Sequence, residues 1–269
     1  MGIIGSAFVG LTRVYGAGEN RIITPDDVAG LLGWYDADDY TSGTTWTDKS
    51  GNSRDLTLDN SNGTYSKDAS TISGPSILFS GGAYAVAGAY NSSFSANEFT
   101  HIEIFRPSGT LFSNDTTFVI GSQTNCGSLI RYGDNIIGVY AADTGYHIPS
   151  VDQLYSSTKT AFVTRRVSSG FNNTSGLQIS YADSNGTSLT HYGPGDFVQY
   201  TPTGTDSTFS ITISPVLWVA SSGRFPSGNP TPIYNANGYY GVVLVYDGIL
   251  TDEQVETIYN YYKDTYNLG

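Results

Sequence analysis

The strongest constraint on this chain is its rhythm. Short apolar or alternating runs recur along most of its length, at residues 56–58, 76–79, 83–87, 99–105, 117–121, 128–132, 135–140, 160–167, 176–181, 208–213, 216–220 and 239–246. Between them stand clusters such as Ser50-Gly51-Asn52, Ser80-Gly81-Gly82, Gly133-Asp134-Asn135 and Ser184-Asn185-Gly186, whose residues favour turns. Runs this short, with no helical period between them, predict strands. Many strands joined by turns predict an all-β fold, a two-sheet antiparallel β-sandwich of the jelly-roll kind. The Gly- and Pro-rich segments 194–205 and 224–237 are expected to be long loops. No repeat of solenoid or propeller period is visible.

The two ends depart from this rhythm. Residues 1–23 are apolar and Gly-rich without periodicity, and Ile3, Ile4, Phe8, Val9 and Leu11 would be poorly hidden on a free arm. They are expected to be contacts to an assembly partner or to the domain itself. Thr24-Pro25-Asp26-Asp27 then opens a short helical turn, with Thr as N-cap, Pro in the first position and acids behind it. Gly30 stops that turn, and Leu31 to Ala37 reads as the first strand. At the far end, Thr251 and Gln254 form a capping box, and Val255, Ile258, Tyr259 and Tyr262 line one stripe. This predicts one amphipathic helix over 251–265, covering part of the sandwich. The organisation is thus an arm over 1–23 and one domain over 24–269.

Composition narrows the function classes. The 269 residues carry a net charge of −12 and only 12 Lys and Arg, with Arg165–Arg166 as the one basic pair. Nucleic-acid binding needs basic groups to displace counterions from phosphates, so DNA and RNA are poor partners. No run approaches the ~18 apolar residues of a spanning helix, and the first residues lack the basic region of a signal peptide. Neither membrane insertion nor export by a signal peptide is expected. The single Cys126 makes no intrachain disulfide.

Three stretches together resemble the concanavalin A-like lectin/glucanase superfamily, specifically its LamG-like jelly-roll domains. Residues 25–58, PDDVAGLLGWYDADDYTSGTTWTDKSGNSRDLTL, are similar to the family opening: a short helix, a strand ending in an aromatic and an Asp, then Trp-x-Asp-x-Ser-Gly-Asn. Residues 99–109, FTHIEIFRPSG, resemble its central strand. Residues 238–268 resemble its closing strand, turn and helix. The resemblance spans 25–268, with 110–235 matching in strand rhythm alone. It implies a sandwich that binds carbohydrate in many members and calcium in several. It also implies tailed-phage virion proteins, where such domains decorate heads or build tails and fibres.

Glucanases of the superfamily place two carboxyls on one strand, ~5–5.5 Å apart for a retaining mechanism. Glu98 and Glu103 have the matching separation, but Thr100 replaces the central acid. Residues five apart on an unbulged strand face opposite sides, so Glu103 is expected at a solvent-facing position of an ordinary strand. The chain has no Gly-x-Ser-x-Gly elbow, and His101, His147 and His191 lack zinc spacing. Asp36, Asp38 and Asp39 offer hard oxygens suited to calcium, although Thr41 stands where an EF-hand loop needs Gly. Tyr140, Asp143, Tyr146, His147 and Tyr155 form the leading candidate loop for glycan contact, with Tyr192, Tyr200 and Phe225 elsewhere. The expected function is a non-enzymatic structural protein of a phage virion, a capsid decoration or a tail or fibre component. The arm would anchor it to other virion proteins, the sandwich would contact host glycans, and the subunits would form a homo-oligomer. The alternatives are a free-standing carbohydrate-binding module or lectin and, behind it, a glycoside hydrolase. Trp34 and Trp46, with Asp48, Ser50, Gly51 and Asn52, are expected to be scaffold.

Overall fold

The computed structural model describes residues 23–87, 98–109, 116–122, 125–130, 138–141, 145–149, 156–172, 175–193, 196–199, 216–220, 222–224, 231–234 and 236–269. In chain order its strands begin with β1 (Leu31–Asp36), β2 (Thr45–Trp46), β3 (Leu56–Asp59), β4 (Thr64–Asp68), β5 (Ser76–Ser80), β6 (Tyr84–Ala87) and β7 (Phe99–Pro107). There follow β8 (Thr116–Ser122), β9 (Asn125–Ile130), β10 (Gly138–Ala141), β11 (Gly145–Pro149), β12 (Ala161–Asn172) and β13 (Ser175–Asp183). The last are β14 (Thr190–Tyr192), β15 (Phe197–Gln199), β16 (Val216–Val219), β17 (Ser222–Arg224), β18 (Thr231–Tyr234) and β19 (Gly238–Asp247), before the helix α1 (Asp252–Tyr266).

These strands form two antiparallel sheets. One has the order β14-β13-β12-β7-β19-β5-β4, with β1 also paired to β19; the other runs β15-β11-β10-β9-β8-β16-β6-β3-β2. Strands β17 and β18 pair as a separate hairpin. The expected two-sheet β-sandwich with one C-terminal helix is what the chain forms. The inner core joins both sheets. Trp46, Leu56, Leu58, Leu217 and Val219 come from one, and Phe99, Phe105, Val163, Ile179, Tyr181, Val243 and Val245 from the other.

The centre of the β19 sheet is buried on both faces. Alternate residues of the same strands, Ile102, Ile104, Phe162, Val242, Leu244 and Tyr246, point away from the sandwich and pack against Val255, Ile258, Tyr259, Tyr262 and Tyr266 of α1. This double burial explains why GYYGVVLVYD reads as a continuous apolar run rather than an alternating one. The helix keeps its capping box: Gln254 N–H donates to Thr251 Oγ1 at 3.2 Å, and Thr251 N–H to Gln254 Oε1 at 2.8 Å. It ends on Asn267, whose φ of 52° is left-handed.

Strand β19 shares one of its sides. It pairs with β7 along its length, while its first three residues pair with β5 and those from Val242 onward with β1. Gly241 is the handover point. The β7 register slips there, and its carbonyl accepts from Ala37 N–H at 2.9 Å. A Cβ at Gly241 would stand 2.6 Å from the Tyr266 ring. The residue is therefore a glycine because the helix's last tyrosine lies on the bulge.

The opening stretch is scaffold, as expected. Trp34 and Trp46 are both buried. Asp48 Oδ1 accepts from Trp34 N–H at 3.0 Å and Ser50 N–H at 2.9 Å, while Oδ2 accepts from Arg54 N–H at 3.1 Å. The Asn52 amide donates to the Leu31 and Leu32 carbonyls. Side-chain-to-backbone bonds thus close the turn onto β1.

Some expectations need correction. Segment 224–237 is not one long loop, because Thr231–Tyr234 pairs back onto Ser222–Arg224. Segment 194–205 contains β15, which pairs with β11. Strand β4 has the polar sequence TYSKD and is mostly exposed, so it carries no apolar signal. The run 208–213 lies outside the described residues.

Gly241→Ala is expected to displace the Tyr266 ring and lower stability by about 1–3 kcal/mol, the usual cost of overpacking. The urea midpoint should fall with an unchanged slope.

Candidate functional site

The residues with chemical potential fall into four places. The first lies between the sheets. The alternation of β7 turns His101, Glu103 and Phe105 toward the inner core, and the register sets Glu103 opposite Val163 and His101 opposite Arg165. Glu103 is fully buried, not solvent-facing. Its Oε1 accepts from Arg165 Nη1 at 2.9 Å and from Thr117 Oγ1 at 3.1 Å. His101 Nδ1 lies 3.3 Å from the same guanidinium. Burial, reinforced by the Arg165 charge, holds the His101 imidazole well below its ordinary pKa, so it stays neutral. The expectation failed because both faces of β7 are covered, so alternation alone does not say which one meets water.

Thr100 sits on the other face of β7. Its hydroxyl donates to the Gly248 carbonyl at 2.9 Å and accepts from Leu250 N–H at 3.0 Å, bracing the turn between β19 and α1. The residue in place of the glucanase's central acid thus has a structural role. Glu98 stands at the strand's entry, where its carbonyl accepts from Gly248 N–H.

The second place is the N-terminus of α1. Arg166, next to Arg165 but on the opposite face, reaches Asp252 at 2.6 Å and donates to the Leu250 carbonyl and Ser180 Oγ. His191 Nδ1 lies 2.7 Å from Ser180 Oγ and 3.3 Å from Asp252. The one basic pair in the sequence is therefore buried and engaged on both faces, which leaves no basic patch there.

The third place is the acidic turn after β1. Asp36, Asp38 and Asp39 do not converge. Asp36 is buried, with Oδ1 accepting from Asp38 N–H at 3.0 Å and Oδ2 from the Tyr262 hydroxyl at 3.3 Å. Asp39 faces outward and pairs with Lys49 at 2.7 Å. Among the described residues no group of three or more His, Cys, Asp or Glu is placed to hold a metal. Burial pushes the Asp36 carboxyl above its ordinary value, against the Asp38 N–H and the Lys49 charge. Sequence reading placed Tyr262 on the apolar stripe of the helix but did not set it beside this turn, and it did not single out Asn260 or Tyr261. The available signal was YNYY, a polar and aromatic flank beside the apolar stripe.

The fourth is the expected glycan loop. The hairpin of β10 and β11 sets Tyr140 opposite Tyr146 and Val139 opposite His147. Asp143 and Tyr155 lie outside the described residues, as do Tyr200, Phe225 and the arm residues Ile3, Ile4, Phe8, Val9 and Leu11. Tyr192 packs against the inner core. Among the described residues no helix is long and apolar enough to cross a membrane.

No family model and no curated protein matches the chain. Its fold is similar to domain 4 of AbnA, an extracellular GH43 arabinanase from Geobacillus stearothermophilus, solved in complex with arabinotriose. The TM-score is 0.57 at 15% identity, over 85% of this chain and 98% of that one. It is also similar to the binding domain of botulinum neurotoxin DC in complex with SialylT, with TM-score 0.52 and 12% identity over 88% of this chain and 52% of that one. A Trypanosoma rangeli sialidase in complex with 2,3-difluorosialic acid gives TM-score 0.53 and 14% identity, over 89% of this chain and 34% of that one. The chain thus spans about half of the toxin domain's chain and about a third of the sialidase. At these identities the likeness is one of fold: a two-sheet β-sandwich.

Removing either partner of the inter-sheet pair, as in Glu103→Gln or Arg165→Met, is expected to cost about 3–5 kcal/mol, because the other charge stays buried. The double variant Glu103→Leu/Arg165→Met should be less destabilised than the sum of the two, which a double-mutant cycle measures. The Asp36 carboxyl ionises near 3.8 when unfolded and at higher pH when folded. Its contribution to stability is full below that value and lost as pH rises through the folded pKa. In Asp36→Asn, the fall in urea midpoint between about pH 3 and about pH 7 should be smaller.

Proposed function

We propose that the chain is a non-enzymatic, lectin-like structural protein of a phage virion, with the 1–23 arm as its anchor and the sandwich as the part that meets host glycans. The observation that carries the non-enzymatic part is Glu103. The carboxyl that a glucanase would present to its substrate is held inside the core by Arg165 and Thr117. The glycan part is supported by the fold, since the similar arabinanase domain holds arabinotriose and the similar toxin domain holds SialylT. The cross-strand pair Tyr140 and Tyr146 is the proposed contact on the β10–β11 hairpin. Tyrosines suit this task because the ring stacks on a sugar while the hydroxyl stays wet. Subunits assemble as a homo-oligomer on the particle.

The second reading, a free-standing carbohydrate-binding module, shares the sandwich and differs in the arm. Deleting residues 2–20 separates the two. On the virion reading the truncated protein folds and still binds glycans but no longer enters particles, as followed by particle purification and immunoblot. Normal incorporation of the truncated protein would overturn the anchor. The same glycans should be bound without release of reducing sugar, and hydrolysis that disappears in a folded Glu103→Gln variant would overturn the non-enzymatic reading.

A further inference from the structure

A cleft of about 540 Å³ opens between the acidic turn after β1 and the outer flank of α1, a size that suits a small ligand. Its floor is a buried relay. Trp34 Nε1 donates to the Tyr262 hydroxyl at 2.8 Å, and that hydroxyl donates to Asp36 Oδ2 at 3.3 Å. The relay fixes the Asp36 carboxylate, which lines the cleft although only 7% exposed. A carboxylate accepts about four hydrogen bonds. Protein groups among the described residues supply two here, from Tyr262 and Asp38 N–H.

The walls add what a saccharide needs. Tyr261 contributes a partly buried ring, held edge-on by Trp34 at 6.4 Å between centroids and by Tyr262 at 4.7 Å. Asn260 and Thr257 line the helix side with an amide and a hydroxyl. Lys49 is drawn toward Asp39 and lies over the Trp34 ring at 4.5 Å. Its ammonium is therefore committed to a carboxylate and an aromatic face. Asp38 and Asp264 also line the cleft, so its charge balance is acidic.

We propose that this cleft binds a neutral saccharide, with sugar hydroxyls donating to Asp36 and a sugar face against Tyr261. The acidic lining selects against sialylated or uronic-acid sugars, whose carboxylates would meet Asp36, Asp38 and Asp264 without a free cation among the lining residues. The inference rests on the carbohydrate-binding reading and adds a subsite on the helix side, away from the sheet that carries β10 and β11.

Calorimetry on the full chain tests it, with arabinotriose and maltotriose as neutral probes and sialyllactose as the anionic one. The wild-type protein is expected to bind a neutral probe more tightly than sialyllactose. Tyr261→Ala, which removes the ring, and Asn260→Trp, which fills the space, are each expected to weaken that binding about tenfold or more. Circular dichroism checks that each variant is folded, and the second keeps the test open if the first is not. Unchanged neutral-sugar binding in a folded variant, with loss in Tyr146→Ala, would overturn the cleft and leave the carbohydrate reading standing. Tighter binding of sialyllactose, lost in Tyr261→Ala, would overturn the neutral preference. No binding of any probe by the wild-type protein would overturn both readings.

Discussion

Strand β19 is the constraint on which the other layers depend. Its ten residues pair with β7 on one side and are divided between β5 and β1 on the other. Val243 and Val245 point into the sandwich, while Val242, Leu244 and Tyr246 point at the helix. One strand therefore anchors both apolar cores. The Thr100 hydroxyl and the Arg166 guanidinium then bind the turn that delivers the chain to α1. The helix sits where it does because the outward residues of β19 and β7 give its apolar stripe a face to cover.

Much of this was legible in the sequence. Thr251 with Gln254, the apolar spacing of Val255, Ile258, Tyr259 and Tyr262, and the turn chemistry around Asp48 and Asn52 are local signals; what they do not reveal is the distant partner, as when the Asn52 amide reaches back to Leu31 and Leu32. The double burial of β7 was not legible. A strand covered on one face and a strand covered on both can carry the same glutamate, and only the partner layer decides whether Glu103 meets water or Arg165. The polar strand β4 escaped for the opposite reason. It buries little, so its pairing leaves no hydrophobic pattern to read. The candidate site was less legible still. Asp36 stood out within an acidic cluster suited to a cation. Its actual partner, Tyr262, lies at the far end of the chain.

The acidic balance of the chain acquires a local meaning in these contacts. Both members of its single basic pair are withdrawn into the protein, and Lys159 is tied to Asp183 at 2.8 Å. Acids are withdrawn with them, since Glu103 and Asp183 are buried as well, as are Asp36 and Asp48. What burial removes is the one cluster of bases, which disfavours contact with phosphates and acidic polymers.

The adjacent arginines also bear on the assembly of the sheet. Arg165 finds its carboxylate between the sheets and Arg166 finds its own beside the helix. A slip of β12 by one residue would exchange the faces of the whole strand. The two arginines would then trade layers, and each layer would still hold one guanidinium and one acid. The charges alone therefore do not exclude the nearest wrong pairing. Phe162 does, because its ring meets Tyr259 edge-on at 5.4 Å between centroids. After a slip, Ala161 or Val163 would stand against α1 in its place, a large-to-small change in a packed layer. The aromatic contact thus aligns a strand whose charges read the same in either register.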